Sequence, residues 1–178
     1  MKVSAVVTIT TVYPGPRGGA IFSGRDAVGK SFRFVAGCHH ISRAPFAGEV
    51  WSLIGESRRH PKYSDQVHVE QASLVQPTGR LIIDFLLKHP AFDGLGIGKA
   101  KAMRLWSSFG SDLYEILRQG DLEKLTYVLP EESAQRLVEV WRAVSEEAAI
   151  VAFLDDHGFD SSLAGKVVKS GLGTRWQS

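Results

Sequence analysis

The chain is poor in cysteine and has no long apolar run. Cys38 is the single cysteine among 178 residues, so an internal disulfide is excluded and a reducing cytoplasm is expected. The first residues lack the apolar core of a signal peptide, and every apolar run is far shorter than the roughly 20 residues that span a bilayer. We therefore expect a cytoplasmic protein with no membrane partner.

Recognisable catalytic arrangements are also missing, because no Ser/His/Asp set, paired carboxylates or Cys/His pair stands out. Cys38, His39 and His40, with His60, suggest a metal, but adjacent residues on a strand point to opposite faces. A structural zinc site usually has four ligands at characteristic spacing, so polar residues on a barrel rim explain the cluster better. We expect no metal, no cofactor and no enzymatic activity.

The net charge of +2 hides an uneven distribution. Residues 1–79 carry nine Lys and Arg against five Asp and Glu, whereas residues 80–178 carry twelve against fourteen. Within the acidic half, residues 94–111 hold three cationic side chains and no acidic one. Concentrated positive charge of this kind is compatible with a nucleic-acid partner.

Residues 1–79 show the patterning of β-strands. Apolar residues recur with a period of two from Val3 to Ile9, and a Pro/Gly-rich turn follows at 14–19. Four more short strands are predicted between Gly- or Pro-containing connections, over 20–23, 31–36, 49–56 and 66–72. Phe32 and Phe34 share one face of a strand and are expected in the core. Five strands in so short a stretch predict a small closed barrel similar to an OB-fold.

From residue 80 onwards the apolar spacing is helical. The first predicted helix ends before Pro90, the second covers Lys99–Phe109, the third is capped by Ser111, and a short fourth covers Leu122–Leu125. A fifth has Pro130 in its first turn and apolar residues through Trp141, and a last pair covers about 145–157 and 161–170. The fold class is therefore segregated α+β, a barrel followed by an all-α bundle. The predicted domains are the barrel (1–79), a tandem helix-hairpin-helix (80–142) and an additional helical hairpin (143–178).

The glycine-spaced segment between the first two helices is the strongest functional signal. Glycines without a Cβ allow a flat anionic backbone to reach main-chain N–H groups, and a helix N-terminus favours negative charge. Basic side chains follow with no acid until Asp112. The pattern is typical of a helix-hairpin-helix that binds the DNA phosphate backbone, and its predicted contact residues are Gly94, Leu95, Gly96, Ile97, Gly98, Lys99, Lys101 and Arg104.

Residues 58–63 form a second basic segment, within the predicted barrel. A loop with several cations beside an aromatic ring is typical of surfaces that bind single strands, although a solvated loop with the ring packed on the barrel explains it equally well. Arg33, on the predicted strand over 31–36, adds one more cation that faces outward. The predicted barrel contacts are Arg33, Arg58, Arg59, Lys62 and Tyr63.

Residues 24–31 match the Walker A pattern letter for letter. A phosphate-binding loop requires a strand before it and a helix after it. Residues 32–37 alternate like a strand and stop at glycine, so a hairpin turn between two barrel strands explains the segment better. The competing interpretation is a nucleotide hydrolase that uses Lys30 and Ser31.

Barrel and hairpin together resemble the N-terminal region of the stand-alone RecD-like DNA helicases of superfamily 1. The resemblance runs through Gly48–Glu70, Leu81–Gly110, Leu122–Trp141 and Ile150–Gly173, and it implies an OB-type domain followed by tandem helix-hairpin-helix units. Two departures matter. The second hairpin, over 121–139, has five acids against two bases and should repel phosphate, so it is interpreted as a packing partner of the first. No helicase motor follows within this chain, so helicase activity is not expected.

The sequence thus predicts a non-catalytic, largely sequence-independent DNA-binding module of DNA repair or recombination, cytoplasmic and associated with the nucleoid. Its partners are DNA, in single-stranded, duplex or forked form, and a possible helicase or recombination protein. Two alternatives stay open beside the nucleotide hydrolase. One is an adaptor that docks such a protein, and the other is a junction-binding architecture like that of RuvA.

Overall fold

A computed structural model describes residues 1–62 and 65–156 of the chain, which form two compact units. Among the described residues, the barrel unit consists of those up to residue 76 and of residues 147–156. The helical unit consists of residues 77–146. The predicted class is confirmed at this level, because a closed five-stranded barrel is followed by helices.

The barrel closes in the strand order β1-β2-β3-β5-β4, which is consistent with an OB-like fold. Its five strands are β1 (Lys2–Pro14), β2 (Ala20–Arg25), β3 (Ser31–Ala36), β4 (Val50–Arg58) and β5 (Gln66–Val75). The long β1 pairs with β4 through residues 2–8 and with β2 through residues 8–14. Only β3 and β5 run parallel, and the other pairs are antiparallel.

Alternating residues fill the barrel because successive side chains on a strand face opposite sides of the sheet. Large side chains with almost no exposure form its centre, among them Ile9, Phe22, Phe34, Trp51 and Leu53. The predicted alternation from Val3 to Ile9 is confirmed, since Val7 and Ile9 are buried and Val3 and Ala5 are half-buried.

The helical unit forms a second core. Its helices are α1 (Leu81–Lys88), α2 (Lys99–Phe109), α3 (Asp112–Gln119), α4 (Leu122–Leu125) and the first part of α5 (Glu131–Asp156). Predicted apolar positions from all five helices share one cluster, in which Trp141 is buried and Trp106 packs at the edge. No helix in the described ranges is both long and apolar enough to cross a bilayer.

Two helix ends differ from the sequence-based expectation. Ser111 precedes α3, but its side chain makes no cap hydrogen bond because its own backbone is already helical, with φ −64° and ψ −22°. The helix expected to reach Trp141 and the helix expected from about 145 are one continuous helix, α5. No glycine or proline occurs between residues 131 and 156, so nothing interrupts it. The second helix expected over 161–170 lies outside the described residues.

The last part of α5 belongs to the barrel unit and completes it. Val151 is fully buried in the barrel core. The guanidinium of Arg43 binds both carboxylate oxygens of Glu49, at 2.9 and 2.7 Å, and donates from Nε to Glu147 at 2.8 Å. Burial lowers the pKa of Arg43, but the hydrogen bonds and charges of these two carboxylates outweigh burial and raise it overall.

Candidate nucleic-acid interface

The glycine-spaced segment 94–98 leads directly into α2. Leu95 is 3% exposed and Ile97 packs against the same core, whereas Gly94, Gly96 and Gly98 are exposed. The alternation therefore turns the two apolar side chains inward and leaves the glycine backbone at the surface. The side chain of Leu95 is buried in the core and fixes the loop, so Leu95 presents only its main chain at the predicted contact surface.

Backbone conformation explains two of the three glycines. Gly94 and Gly96 have φ values of 80° and 76°, a region that residues with a Cβ rarely adopt. Gly98 is different, because its φ of −88° and ψ of −176° are open to any residue. A Cβ added at Gly98 would meet no atom within 4 Å. Neither its conformation nor the packing of the described chain requires glycine there.

Unused hydrogen-bond donors collect at this loop. Across residues 1–62 and 65–156, no acceptor pairs with the amides of Gly96, Ile97 or Gly98. The first amides of α2 lie ahead of any intrahelical partner, and no side chain caps them. These N–H groups lie at the positive end of the helix dipole, where an anion is stabilised.

Two carbonyl oxygens of the same loop accept hydrogen bonds from cationic side chains. Lys101 donates from Nζ to the oxygen of Gly96 at 3.1 Å, and Arg136 donates from Nη1 to the oxygen of Gly94 at 3.3 Å. Both contacts hold positive charge against the loop. The surface thus combines open amides with cationic side chains, the two features that bind phosphate.

Lys99 and Arg104 are exposed, and Lys101 is half-buried. Within the described part of the chain, none of these three forms an ion pair with a carboxylate. Arg80 adds another cation beside α2, since its Nη2 lies 3.9 Å from the sulfur of Met103. We name Lys99, Lys101, Arg104 and Arg136, with the loop 94–98, the hairpin surface.

Sequence patterns miss Arg80 and Arg136. Arg136 lies in the segment with five acids, where local charge argues against phosphate, and only folding brings it to Gly94, 42 residues earlier. Arg80 stands before the first helix, apart from the basic cluster. No local signal marks either arginine, because each lies within two positions of a buried apolar residue, Ile82 for Arg80 and Leu137 for Arg136, as many exposed arginines do.

The second helix pair is acidic. α4 and α5 are joined by residues 126–130, and Leu129 of this loop is buried in the same cluster as Leu95. The Asp121 side chain accepts from the amide of Lys124 at 3.3 Å and caps α4. Tyr127 is 76% exposed, and its chain neighbour Thr126 lines an open groove of about 470 Å³. The other lining residues are Leu122, Glu123, Leu129, Pro130 and Glu131.

The predicted barrel contacts lie in the barrel unit. Arg58 ends β4, and Arg59 and Lys62 follow it in the connection to β5, all exposed. Arg33 is half-buried on β3, opposite Ser23 of β2, instead of fully exposed as the alternation predicts. Tyr63 lies outside the described residues.

The pKa of His68 on β5 depends on the charges of Arg58 and Glu56. Burial lowers its pKa, the positive charge of Arg58 lowers it further, and Glu56 partly opposes both effects. The backbone of His68 pairs with that of Glu56 in the sheet. Its titration is therefore sensitive to the charge near Arg58.

The segment that matches Walker A is a β-hairpin turn. β2 ends at Arg25 and β3 begins at Ser31, with no helix after it. The carboxylate of Asp26 accepts from the amides of Val28 at 3.1 Å and Lys30 at 2.8 Å. These amides bind an internal carboxylate, so this conformation does not offer them to a phosphate.

The cluster of Cys38, His39 and His40 lies after β3 in a connection without helix or strand. Across the described ranges, no group of three or more His, Cys, Asp or Glu side chains is placed to hold a metal ion. The Nδ1 of His60 accepts a hydrogen bond from the amide of Lys62 at 3.0 Å.

No protein-family model matches the sequence, and no curated protein matches it significantly. The likeness to RecD-like helicases therefore depends on the residues of the chain alone. The candidate site consists of the hairpin surface in the helical unit and a separate set of barrel cations.

Proposed function

We propose that this protein is a non-catalytic, largely sequence-independent DNA-binding module. The observation that carries the proposal is the loop 94–98, whose open amides lie at the N-terminus of α2 between cationic side chains. In this proposal α1, the loop and α2 form a helix-hairpin-helix. Phosphate contacts by backbone amides and cations fix a protein on DNA without reading bases, hence the low sequence preference.

Gly98 supports the proposal independently of charge. Its backbone would accept any residue, and open space surrounds it. An approaching phosphate gives a reason for glycine there, because a side chain would stand between the ligand and the first amides of α2.

We assign α4, its loop and α5 as the second, degenerate unit of a tandem helix-hairpin-helix. Its exposed acidic side chains disfavour DNA. It stabilises the first hairpin instead, because Leu129 packs in the shared core and Arg136 donates a hydrogen bond to the oxygen of Gly94. This arrangement fits the accessory region of RecD-like helicases, with a cytoplasmic, nucleoid-associated role in DNA repair or recombination.

The barrel adds a second area of contact through Arg33, Arg58, Arg59 and Lys62. If the barrel and the hairpin surface together neutralise about six phosphates, affinity falls by roughly 10³ between about 50 and 200 mM salt. A slope of this size distinguishes a phosphate-binding protein from one that docks DNA by apolar contacts.

The test measures binding of labelled single-stranded, duplex and forked DNA at two salt concentrations. Lys99→Glu with Lys101→Glu should weaken duplex binding at least about tenfold, because two phosphate contacts become repulsive. Both changes preserve the buried face of α2, where Ala102 and Leu105 lie. Lys124→Glu with Arg142→Glu is the matched control, since it lowers the net charge equally at two exposed positions away from the loop. Equal binding by the two double variants would refute the hairpin assignment.

A protein-docking function is the second candidate, and the exposed Tyr127 favours it. An aromatic side chain that is 76% exposed beside a groove is a common anchor of protein interfaces. The partner would be a helicase or recombination protein. A complex that persists at salt concentrations where DNA binding is lost, and that Tyr127→Ser abolishes, would establish this function.

A further inference from the structure

A groove of about 590 Å³ opens on the barrel, and none of the residues of the proposed hairpin contact lines it. Its floor comes from β2 and β3, and residues of β1, the end of β4 and the start of β5 form its sides. Every lining residue belongs to the barrel unit. The volume lies within the range of sites that bind small organic groups.

Cations surround this groove. Arg25 and Lys30 line it from the two ends of the β2–β3 turn, and Arg33 lines it from β3. Ser57 lies at its edge, and the chain continues from there into Arg58. Asp65 is the one acidic side chain in the lining. Positive charge therefore predominates among the side chains that line the groove, which favours an anionic ligand.

Phe32 supplies an aromatic surface between these cations. The sequence predicts it in the core, yet it is half-buried and lines the groove. Its ring stacks against the buried Phe34, with centroids 5.8 Å apart and an interplanar angle of 25°. Lys30 holds its ammonium 5.0 Å from the centroid of the same ring. A planar base could extend this stack while its phosphate meets Lys30.

The turn that carries Arg25 and Lys30 is fixed before any ligand arrives. Asp26 accepts two backbone amides of the turn, and its own amide donates to the oxygen of Lys30 at 3.0 Å. A cation on a preorganised loop loses less conformational entropy on binding than one on a mobile loop.

We propose that this groove binds an unpaired segment of DNA, with one base stacked on Phe32 and flanking phosphates bound by Arg25 and Lys30. The inference rests on the proposed function only in taking the ligand to be DNA. It deepens that function by assigning single strands to the barrel, because a base stacks on a side chain only when it leaves its own helix. A free nucleotide shares the same chemistry and is distinguished by the test.

The experiment measures fluorescence anisotropy of the full chain with labelled oligothymidine of about ten nucleotides and with a duplex of equal length. Phe32→Leu keeps an apolar side chain against Phe34 but removes the aromatic face. It should weaken oligothymidine binding about tenfold and leave duplex binding unchanged. Arg25→Glu with Lys30→Glu should weaken oligothymidine binding at least as much, and Lys124→Glu with Arg142→Glu should not.

Three results would overturn this assignment. One is an unchanged oligothymidine affinity in folded Phe32→Leu, and another is an equal loss of duplex binding in that variant. The third is competition by thymidine monophosphate at the same concentration as oligothymidine, which would make the groove a mononucleotide site. The hairpin variant Lys99→Glu with Lys101→Glu separates the two proposals, since it should lose duplex binding and keep the Phe32-dependent binding of oligothymidine.

Discussion

The guanidinium of Arg136 donates to the carbonyl oxygen of Gly94 at 3.3 Å, which joins the acidic helix α5 to the glycine loop before α2. A helix with exposed Glu131, Glu132 and Glu139 thus contributes a cation to the hairpin surface. The local charge of a segment and the charge that it presents at a site are different quantities.

Arg136→Gln tests this contact. We expect DNA affinity to fall by about three- to tenfold, because one cation is lost and the loop loses a hydrogen bond to Gly94. Arg136 is exposed, so the free energy of unfolding should change by less than about 1 kcal/mol. Titration of labelled duplex DNA and urea denaturation measure the two effects. Arg136→Lys is the control and should restore much of the affinity, since it returns the charge.

Gly98→Ser separates folding from binding. Serine is preferred at the N-cap of a helix, and space is open at Gly98, so the melting temperature should stay equal or rise. The new side chain would cover the first amides of α2 and should weaken DNA binding at least about fivefold. A variant that binds as tightly as the original chain would show that no ligand approaches Gly98.

Gly96→Ala is the companion to that substitution. The φ of 76° at Gly96 is strained for alanine, so the free energy of unfolding should fall by about 1–2 kcal/mol. Thermal or urea unfolding detects the loss, and a variant of unchanged stability would contradict the left-handed conformation.

Arg43 and Glu49 should be strongly coupled, since the side chain of Glu49 is only 2% exposed and that of Arg43 is 15% exposed. Arg43→Met leaves a buried carboxylate without its cation and should cost about 3–5 kcal/mol of unfolding free energy. The double variant Arg43→Met with Glu49→Leu should recover a large part of that cost. Urea denaturation of the single and double variants measures the coupling, and additive losses would argue against it.

His68 provides a spectroscopic probe of the barrel. Burial and Arg58 should hold its pKa below 6.5, and Arg58→Gln should raise it. A phosphate bound at Arg58 should also raise the pKa, because it neutralises the repelling charge and stabilises the imidazolium. NMR titration of His68 with and without oligothymidine measures the shift. An unchanged pKa at saturating oligothymidine would place the ligand away from Arg58.

Local patterns predicted much of the fold. Period-two alternation predicted β1, and Gly- and Pro-containing connections separated the other four predicted strands, whose first residues agree with β2 to β5 within one position. The bounds Lys99–Phe109 of α2 follow from the glycine before it and the glycine after it. Proline and glycine end elements through the backbone alone, so their effects can be read from the sequence. The predicted break near residue 145 is wrong, because residues 131–156 contain no glycine or proline that would interrupt α5.

The site was only partly predictable, because its residues meet through tertiary structure. Phe32 shares the alternation of a core strand, and its position at a groove depends on how β3 lies beside β5 at the barrel end. Asp26 occupies the amides of the segment that matches Walker A, a competition that the motif itself does not encode. Arg136 reaches Gly94 only when the second helix pair folds against the first.

The shared helix α5 imposes an order on assembly. Arg43 pairs with Glu147, which lies 104 positions later in the chain. Val151 can enter the barrel core only after every strand has been synthesised. During translation the five strands therefore emerge well before the residues that complete their interior, and such distant contacts slow folding. A polypeptide that stops after the last strand should remain an unfinished barrel, prone to aggregation until the end of α5 is supplied.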